Sequence, residues 1–248
     1  MDLALSEGVG DAIHELASRQ LIGAVSCLTV SDIWPREAKR LEVLQRQGAP
    51  VLIGLSLTLT AGFPPLSTGF VPENRDHAGR LPTLSDLIRA SRRFNLRSDI
   101  IESEFRAQIR RFSAHTGRMP SFLHLEPGIV SFLAASQAVT AALKHFGMPN
   151  CLVLVPAPVR PRNLLQRAEQ RFLWRSMDQV REPWQRRMLV EITDPKRLPQ
   201  RSSWRADGKI WTAVHPAISS PKDQARLARF ESDPSLRVAQ FEGVRNHS

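Results

Sequence analysis

The chain has 248 residues, of which 42% are hydrophobic and 23% are charged, so it is long and apolar enough to bury a sizeable core. This composition excludes intrinsically disordered and fibrous proteins. Lysine and arginine number 34 against 24 for aspartate and glutamate, which gives a formal net charge of +10. Such a charge favours acidic partners in general, but it does not distinguish nucleic acid, an anionic membrane and an acidic substrate.

Short apolar runs alternate along the chain with longer stretches of helical periodicity. This alternation is typical of βα units around a parallel sheet. The predicted strands are Ala24–Val30, Val51–Leu57, Phe122–Leu125, Cys151–Val155, Met188–Ile192 and Ile210–Val214. The predicted helices are Gly8–Gln20, Arg36–Gln47, Ile100–Thr116, Val130–Phe146, Leu164–Val180 and Lys222–Glu231. We therefore expect an α/β protein with a mostly parallel sheet, as a (β/α) barrel or an open doubly wound sheet, in a single domain over residues 1–248.

The two ends of this pattern carry further expectations. The first helix begins almost at the first residue, with Ser6 as its N-cap, whereas a βα fold normally begins with a strand. We therefore expect a truncated first strand or a coding sequence that starts further upstream. The long connections Phe63–Thr83 and Thr193–Gly208 are expected to cover the carboxyl ends of the strands, where binding residues gather in such folds.

The cysteine content and the hydropathy pattern bear on the cellular compartment. Cys27 and Cys151, the two cysteines of the chain, lie in apolar runs, so we expect buried free thiols rather than a disulfide. No apolar run is long enough to span a membrane, and Met1–Gly8 lacks the features of a signal peptide. The sequence therefore predicts a cytoplasmic protein.

Four short motifs follow one another along the chain. They read Asp-Leu-Ala-Leu-Ser-Glu-Gly at Asp2–Gly8, Gly-Leu-Ser-Leu-Thr-Leu-Thr at Gly54–Thr60, Phe-Leu-His-Leu-Glu-Pro-Gly-Ile-Val at Phe122–Val130 and Ala-Val-His-Pro-Ala at Ala213–Ala217. Their order and spacing resemble those of the YdjC-like family of carbohydrate deacetylases, also called the ChbG/HpnK family. The corresponding family motifs are Ala-Asp-Asp-Phe-Gly-Leu-Ser, Gly-Leu-His-Leu-Thr-Leu, His-Leu-Asp-Ser-His-x-His-Val-His and Val-x-His-Pro-Gly/Ala. This resemblance, which covers nearly the whole chain, implies a deformed (β/α) barrel.

The resemblance also implies a chemistry, the metal-dependent hydrolysis of an N-acetyl group from an amino sugar, a glycan or a glycolipid. A divalent metal, magnesium or zinc, polarises the acetyl carbonyl and activates a water molecule in this reaction. A carboxylate takes up the proton of the water, and a histidine protonates the departing amine. Carried over by position, the motifs place Asp2 at the metal-binding aspartate, Met1 at the base and His215 at the acid.

Other motif positions are substituted in this chain. Ser56 stands where the family has a ligand histidine, and a neutral hydroxyl is a poor ligand for a transition metal. An ungapped comparison puts Glu126 at another ligand histidine and His124 at the aspartate, whereas a shift of two residues puts Gly128 at the ligand. Neither alignment restores a site with two histidines. We expect Ser56 not to ligate, and Asp2 with Glu126 to offer a weak oxygen site for a hard cation such as magnesium.

Three functions therefore stay open. The first is deacetylation of an N-acetylated saccharide or glycolipid. The second is an inactive descendant that binds a saccharide or a partner in the same cleft. The third, a basic protein that binds nucleic acid, rests on Arg160–Arg187, where arginines are interleaved with Trp174 and Trp184. The same segment has the pattern of an amphipathic helix, and no nucleotide-binding or nucleic-acid-binding motif accompanies it, so we do not expect nucleic acid as a partner.

Overall fold

A computed structural model of the chain describes residues 2–60, 62–70, 79–92, 96–126, 129, 132–156, 185–191 and 211–213, the last two ranges as backbone. The strands are β1 Asp2–Leu3, β2 Ala24–Cys27, β3 Leu52–Leu57, β4 Phe122–Leu125, β5 Leu152–Pro156, β6 Gln185–Glu191 and β7 Trp211–Ala213. The helices are α1 Glu7–Ser18, α2 Trp34–Arg46, α3 Leu84–Arg92, α4 Ser98–Thr116 and α5 Leu133–His145. The predicted helices Leu164–Val180 and Lys222–Glu231 and the predicted connection Thr193–Gly208 lie outside these residues.

The strands form one sheet in which every pairing is parallel and the order is β1-β2-β3-β4-β5-β6-β7. This confirms the predicted α/β fold. The sequential order is that of a (β/α) barrel, because an open doubly wound sheet reverses its strand order at a switch point. The first strand is short, as expected: Asp2 and Leu3 pair with Ser26 and Cys27 of β2.

The helix ends follow local sequence signals. The Ser6 hydroxyl accepts a hydrogen bond from the Val9 backbone N–H at 3.4 Å and begins α1. Helix α4 ends at Gly117, whose φ of 69° suits glycine. Helix α3 was not among the predicted elements, although its start carries a capping box: the Asp86 N–H donates to the Thr83 hydroxyl at 3.3 Å, and the Thr83 N–H donates back to the Asp86 carboxylate at 3.2 Å.

The two faces of the sheet carry different cores. Successive side chains of a strand point to opposite faces, and one set packs against the helices in the larger core: Leu3, Val25, Cys27, Ile53, Leu55, Leu57, Leu123, Leu125, Val153 and Val155. The opposite face, which we call the inner face, carries a smaller cluster of Ala24, Leu52, Phe122, Leu152 and Leu154. Gly54 belongs to the inner face, and a Cβ there would lie 2.4 Å from the Phe122 ring. Its missing side chain therefore gives Phe122 room to lie across this face.

In the described part of the chain, no helix combines the length and the apolar character that a membrane span requires.

Candidate functional site

Polar side chains from four neighbouring strands gather on the inner face, towards the carboxyl ends of the strands. Asp2 of β1 and Ser26 of β2 are register partners, as are Ser56 of β3 and His124 of β4. Each of them alternates with residues that pack against the helices, so all four face away from the helices. We call these four residues the inner-face site. Its position matches that of binding residues in barrels of this kind.

Asp2 and His124 form the centre of the inner-face site. The Asp2 Oδ1 atom lies 3.6 Å from Nδ1 of His124, which is just beyond hydrogen-bond distance. The His124 side chain is 4% exposed and that of Asp2 is 26% exposed, so Asp2 is partly accessible whereas the imidazole is buried. Among the described residues, Asp2 Oδ1, Ser26 Oγ and both ring nitrogens of His124 are buried without a hydrogen-bond partner. Buried polar atoms normally have one, so these four atoms call for an explanation.

The charge state of the site is set by neighbours of Asp2. Burial would raise the pKa of the Asp2 carboxyl, but contacts with His124 and with the Ser56 hydroxyl outweigh it and hold the pKa below its usual value. The site therefore carries a carboxylate at neutral pH.

The two cysteines belong to the larger core and take no part in the site. Both are free and buried, as predicted. Burial raises the pKa of the Cys27 thiol well above its usual value and that of Cys151 to about 12, so both thiols stay protonated.

Glu126, directly after β4, is held by the extension of β3. The Thr58 hydroxyl donates to its Oε2 atom, and the Thr60 hydroxyl donates to its Oε1 atom. The Thr60 N–H in turn donates to the Thr58 hydroxyl at 3.1 Å, which orders the two threonines relative to each other. Both carboxylate oxygens of Glu126 are therefore engaged within the protein.

Two buried polar residues of α4 support this arrangement. The Gln108 side chain donates to the Thr58 carbonyl at 2.8 Å, and its amide oxygen accepts from the Thr58 N–H at 3.2 Å. Gln108 also donates to Glu104 at 2.9 Å. The Glu104 carboxylate accepts from the backbone N–H groups of Leu66 and Ser67 at 3.0 and 2.8 Å. Helix α4 thus fixes both the end of β3 and the loop that follows it.

Sequence reasoning named Ser56 but missed the two threonines that follow it and the buried polar residues of α4, although signals for them exist. Ser56, Thr58 and Thr60 occur at every second position of an apolar strand, which is the pattern of polar side chains on one face. Glu104 and Gln108 are polar residues four positions apart on the apolar stripe of α4. Such exceptions to an apolar pattern indicate a buried polar network.

The divalent metal implied by the family can be tested against the donors present. Asp2 and His124 are suitable metal ligands, because each has a buried oxygen or nitrogen atom without a hydrogen-bond partner. Ser56 supplies a hydroxyl, and Glu126 has both oxygens occupied by threonines. Within the described ranges, no three His, Cys, Asp or Glu side chains come together in a group that could hold a metal. Catalytic zinc sites use three protein ligands, so these side chains alone do not fit one.

The predicted roles of Asp2 and Glu126 as metal ligands therefore stay predictions. His215 lies outside the described residues, and its predicted role as the acid stays a prediction as well.

Comparisons with known proteins bear on the family and the fold. The family model described as YdjC-like protein matches residues 2–244. A crystal structure from Enterococcus faecalis V583, provisionally described as that of a cellobiose-phosphate cleavage protein, is similar with a TM-score of 0.61 and 14% identity over 95% of this chain and 89% of that chain. At that identity the likeness concerns the fold alone. No curated protein matches the chain with significance. The family match extends over nearly the full sequence and confirms the predicted resemblance: the chain belongs to the YdjC-like family, which is related to carbohydrate deacetylases.

Proposed function

We propose that this chain binds a saccharide at the inner-face site without a resident transition metal. The observation that carries the proposal is the engagement of Glu126 by the Thr58 and Thr60 hydroxyls. A carboxylate held in this way by two threonines is fixed in orientation by the protein itself and forms a well-ordered rim for a binding site. Together with the hydroxyl of Ser56 at a ligand position, it leaves Asp2 and His124 as the remaining donors.

The chemistry of the site suits a saccharide. It offers a carboxylate, two serine hydroxyls and an imidazole on one sheet face, and four of their polar atoms have no partner within the described protein. Ligand sites typically combine such a small set of directed polar groups with an apolar floor, which Phe122 and Leu154 provide here. The family's relation to carbohydrate deacetylases supports an amino sugar, as a free saccharide or a glycolipid, as the ligand class.

Hydrolysis of an N-acetyl group is the second candidate function. It is favoured by the pair of Asp2 and His124, because a carboxylate beside an imidazole with free ring nitrogens is a common arrangement in general acid–base catalysis. The acid role of His215 and a magnesium or zinc ion held with the help of Asp2 belong to this candidate. In this role, a bound metal would polarise the acetyl carbonyl.

One experiment separates the two candidates. The full chain is incubated with zinc or magnesium, dialysed and analysed for metal, and it is then assayed for acetate release from chitin oligomers and for their binding by calorimetry. We expect measurable binding, metal well below one equivalent and no acetate. One equivalent of metal together with acetate release would establish the second candidate instead.

A matched pair of variants sharpens this test at Ser56. Ser56→His supplies an imidazole next to Asp2 and His124, so this variant should gain about one equivalent of zinc in the dialysis assay, since three protein ligands then meet. Ser56→Asn has a similar change of size but adds a poor zinc ligand, and it should remain metal-free. If the wild-type protein holds zinc as firmly as Ser56→His does, position 56 is not the missing ligand and the proposal fails.

A further inference from the structure

We infer that the inner-face site recognises the protonated primary amine of a de-N-acetylated amino sugar, in preference to the acetamido group of the N-acetylated form. This inference rests on the proposed saccharide binding and names the group that the site selects. Its basis is the set of buried acceptor atoms that have no partner in the described protein: Asp2 Oδ1, Ser26 Oγ and a ring nitrogen of His124.

The number of acceptors matches the number of donors on an ammonium group. A primary ammonium has three N–H donors and no acceptor. The Asp2 carboxylate, the Ser26 hydroxyl and a ring nitrogen of His124 can each take one of these contacts, and they belong to three strands of the same sheet face. A single ligand group can therefore supply partners to three atoms that otherwise remain unpaired.

The charge of the site points to a cation as well. Of the described side chains that can carry a positive charge, His124 is the one that the structure places against Asp2. Hydrogen bonds between ionised partners are roughly twice as strong as neutral ones, so an ammonium gains more from this carboxylate than a hydroxyl does. An acetamido group at the same sugar carbon has one N–H donor, one carbonyl acceptor and no charge, so it lacks the ionic interaction with Asp2.

The accessible part of Asp2 allows such an approach. Its side chain is 26% exposed, whereas Ser26 is 5% and His124 is 3% exposed as whole residues. A ligand therefore reaches the Asp2 side chain before the Ser26 hydroxyl and the His124 imidazole, which are more deeply buried. Non-specific attraction cannot imitate this interaction, because the chain has a net charge of +10 and repels cationic ligands in general.

Three oligosaccharides of equal length and the same linkage test the inference. Chitosan, chitin and cello-oligosaccharides carry an amine, an acetamido group and a hydroxyl at the same carbon and are otherwise alike. Calorimetric titration of the full chain should give a dissociation constant about tenfold lower for the chitosan oligomer than for the other two, as expected for one charge-assisted interaction.

Three variants test which residues produce the preference for chitosan. Asp2→Asn keeps the size of the side chain and removes its charge, and it should abolish the preference for chitosan. Ser26→Ala removes one acceptor and should reduce the preference severalfold, so the inference remains testable even if Asp2→Asn folds poorly. Asp11→Asn is the matched control, because Asp11 pairs with Arg40 on the helical side of the protein and should leave all three affinities unchanged.

The outcomes distinguish this inference from the proposed function. If chitin or cello-oligosaccharides bind at the site as tightly as chitosan does, saccharide binding stands and selection of the amine is refuted. If none of the three binds, both fail. If zinc or magnesium alone binds in one equivalent and Asp2→Asn abolishes it, the cation of this site is a metal ion and the inference is overturned.

Discussion

Two polar clusters in this protein, each around a buried side chain, are built in opposite ways. Between α1 and α2, the fully buried Glu37 accepts from His14 Nε2 at 2.9 Å and from Arg40 at 3.1 Å, and Arg40 also binds Asp11 at 2.8 Å. We call these four residues the helix cluster. At the inner-face site, by contrast, atoms of Asp2, Ser26 and His124 lack partners. Polar groups that serve the fold are satisfied within it, whereas groups kept unpaired at a cost in stability are typical of ligand sites.

The helix cluster shows why a cavity alone does not indicate a ligand site. A cavity of about 400 Å³ opens beside it and is lined by Asp11, His14 and Arg40 together with Val43 and Leu44. Its charged groups already bind one another, directly or through Glu37. A ligand would therefore have to break these contacts to gain its own. The inner-face site requires no such exchange.

The largest expected effect comes from breaking the helix cluster. Glu37→Gln replaces a fully buried carboxylate, which pairs with His14 and with the partly exposed Arg40, by a neutral amide, and we expect the free energy of unfolding to fall by about 3 kcal/mol. Urea denaturation followed by circular dichroism measures the change. The matched control is Glu42→Gln, since Glu42 pairs with Arg46 on an exposed helix surface and should change stability by less than about 0.5 kcal/mol. Equal effects of the two variants would show that the buried cluster has no special role in stability.

The next largest loss of stability is expected where Gly54 meets Phe122, on the floor of the inner-face site. In Gly54→Ala, the new Cβ would lie 2.4 Å from the Phe122 ring, so the ring must move and stability should fall by about 1–3 kcal/mol. Gly69→Ala is the control, because a Cβ there meets nothing within 4 Å. Phe122→Leu in the Gly54→Ala background should recover part of the loss. Strictly additive effects of the two substitutions would contradict the proposed contact.

Removing a hydroxyl group that has a hydrogen-bond partner and removing one that has none should change the free energy of unfolding in opposite directions. Thr58→Val removes the donor to Glu126 and should lower the free energy of unfolding by about 2 kcal/mol, because a hydrogen bond to a carboxylate is lost. Ser26→Ala removes a buried hydroxyl that has no partner and should leave stability unchanged or raise it by up to about 1 kcal/mol. Thermal and urea unfolding measure both. A clear loss of stability in Ser26→Ala would mean that its hydroxyl does serve the fold.

The fold could be predicted from the sequence to a large extent, because it depends on local patterns. Apolar runs such as 51–57 and 151–155 lie within one or two residues of β3 and β5. Helix α3 was missed because its apolar stripe is short, although the capping residues Thr83 and Asp86 mark its start.

The candidate site could be predicted only in part, because its contacts join residues far apart in the chain. The motifs named Asp2, Ser56 and Glu126 as ligand positions, but the imidazole that lies 3.6 Å from Asp2 is that of His124, and this contact follows from the register of the strands. Gln108, which donates a hydrogen bond to the Thr58 carbonyl, lies 50 residues further along the chain. Which polar residues pair and which remain unpaired depends on the sheet face and the helix that covers it, and no motif encodes that.

The smallest effect concerns the pH dependence of the helix cluster. Burial and the positive charge of Arg40 lower the pKa of His14 below its usual value of 6.5, against the opposing influence of Glu37. The unfolded chain therefore takes up this proton more readily than the folded protein does. The stabilisation is fully present above about pH 6.5 and is lost as the pH falls below that value. Urea midpoints between pH 8 and pH 5 should accordingly decrease in the wild-type protein and decrease less in His14→Gln. Ser18→Ala, a change on the same helix that removes no titratable group, should keep the wild-type slope, and identical slopes for all three proteins would refute the assignment of this effect to His14.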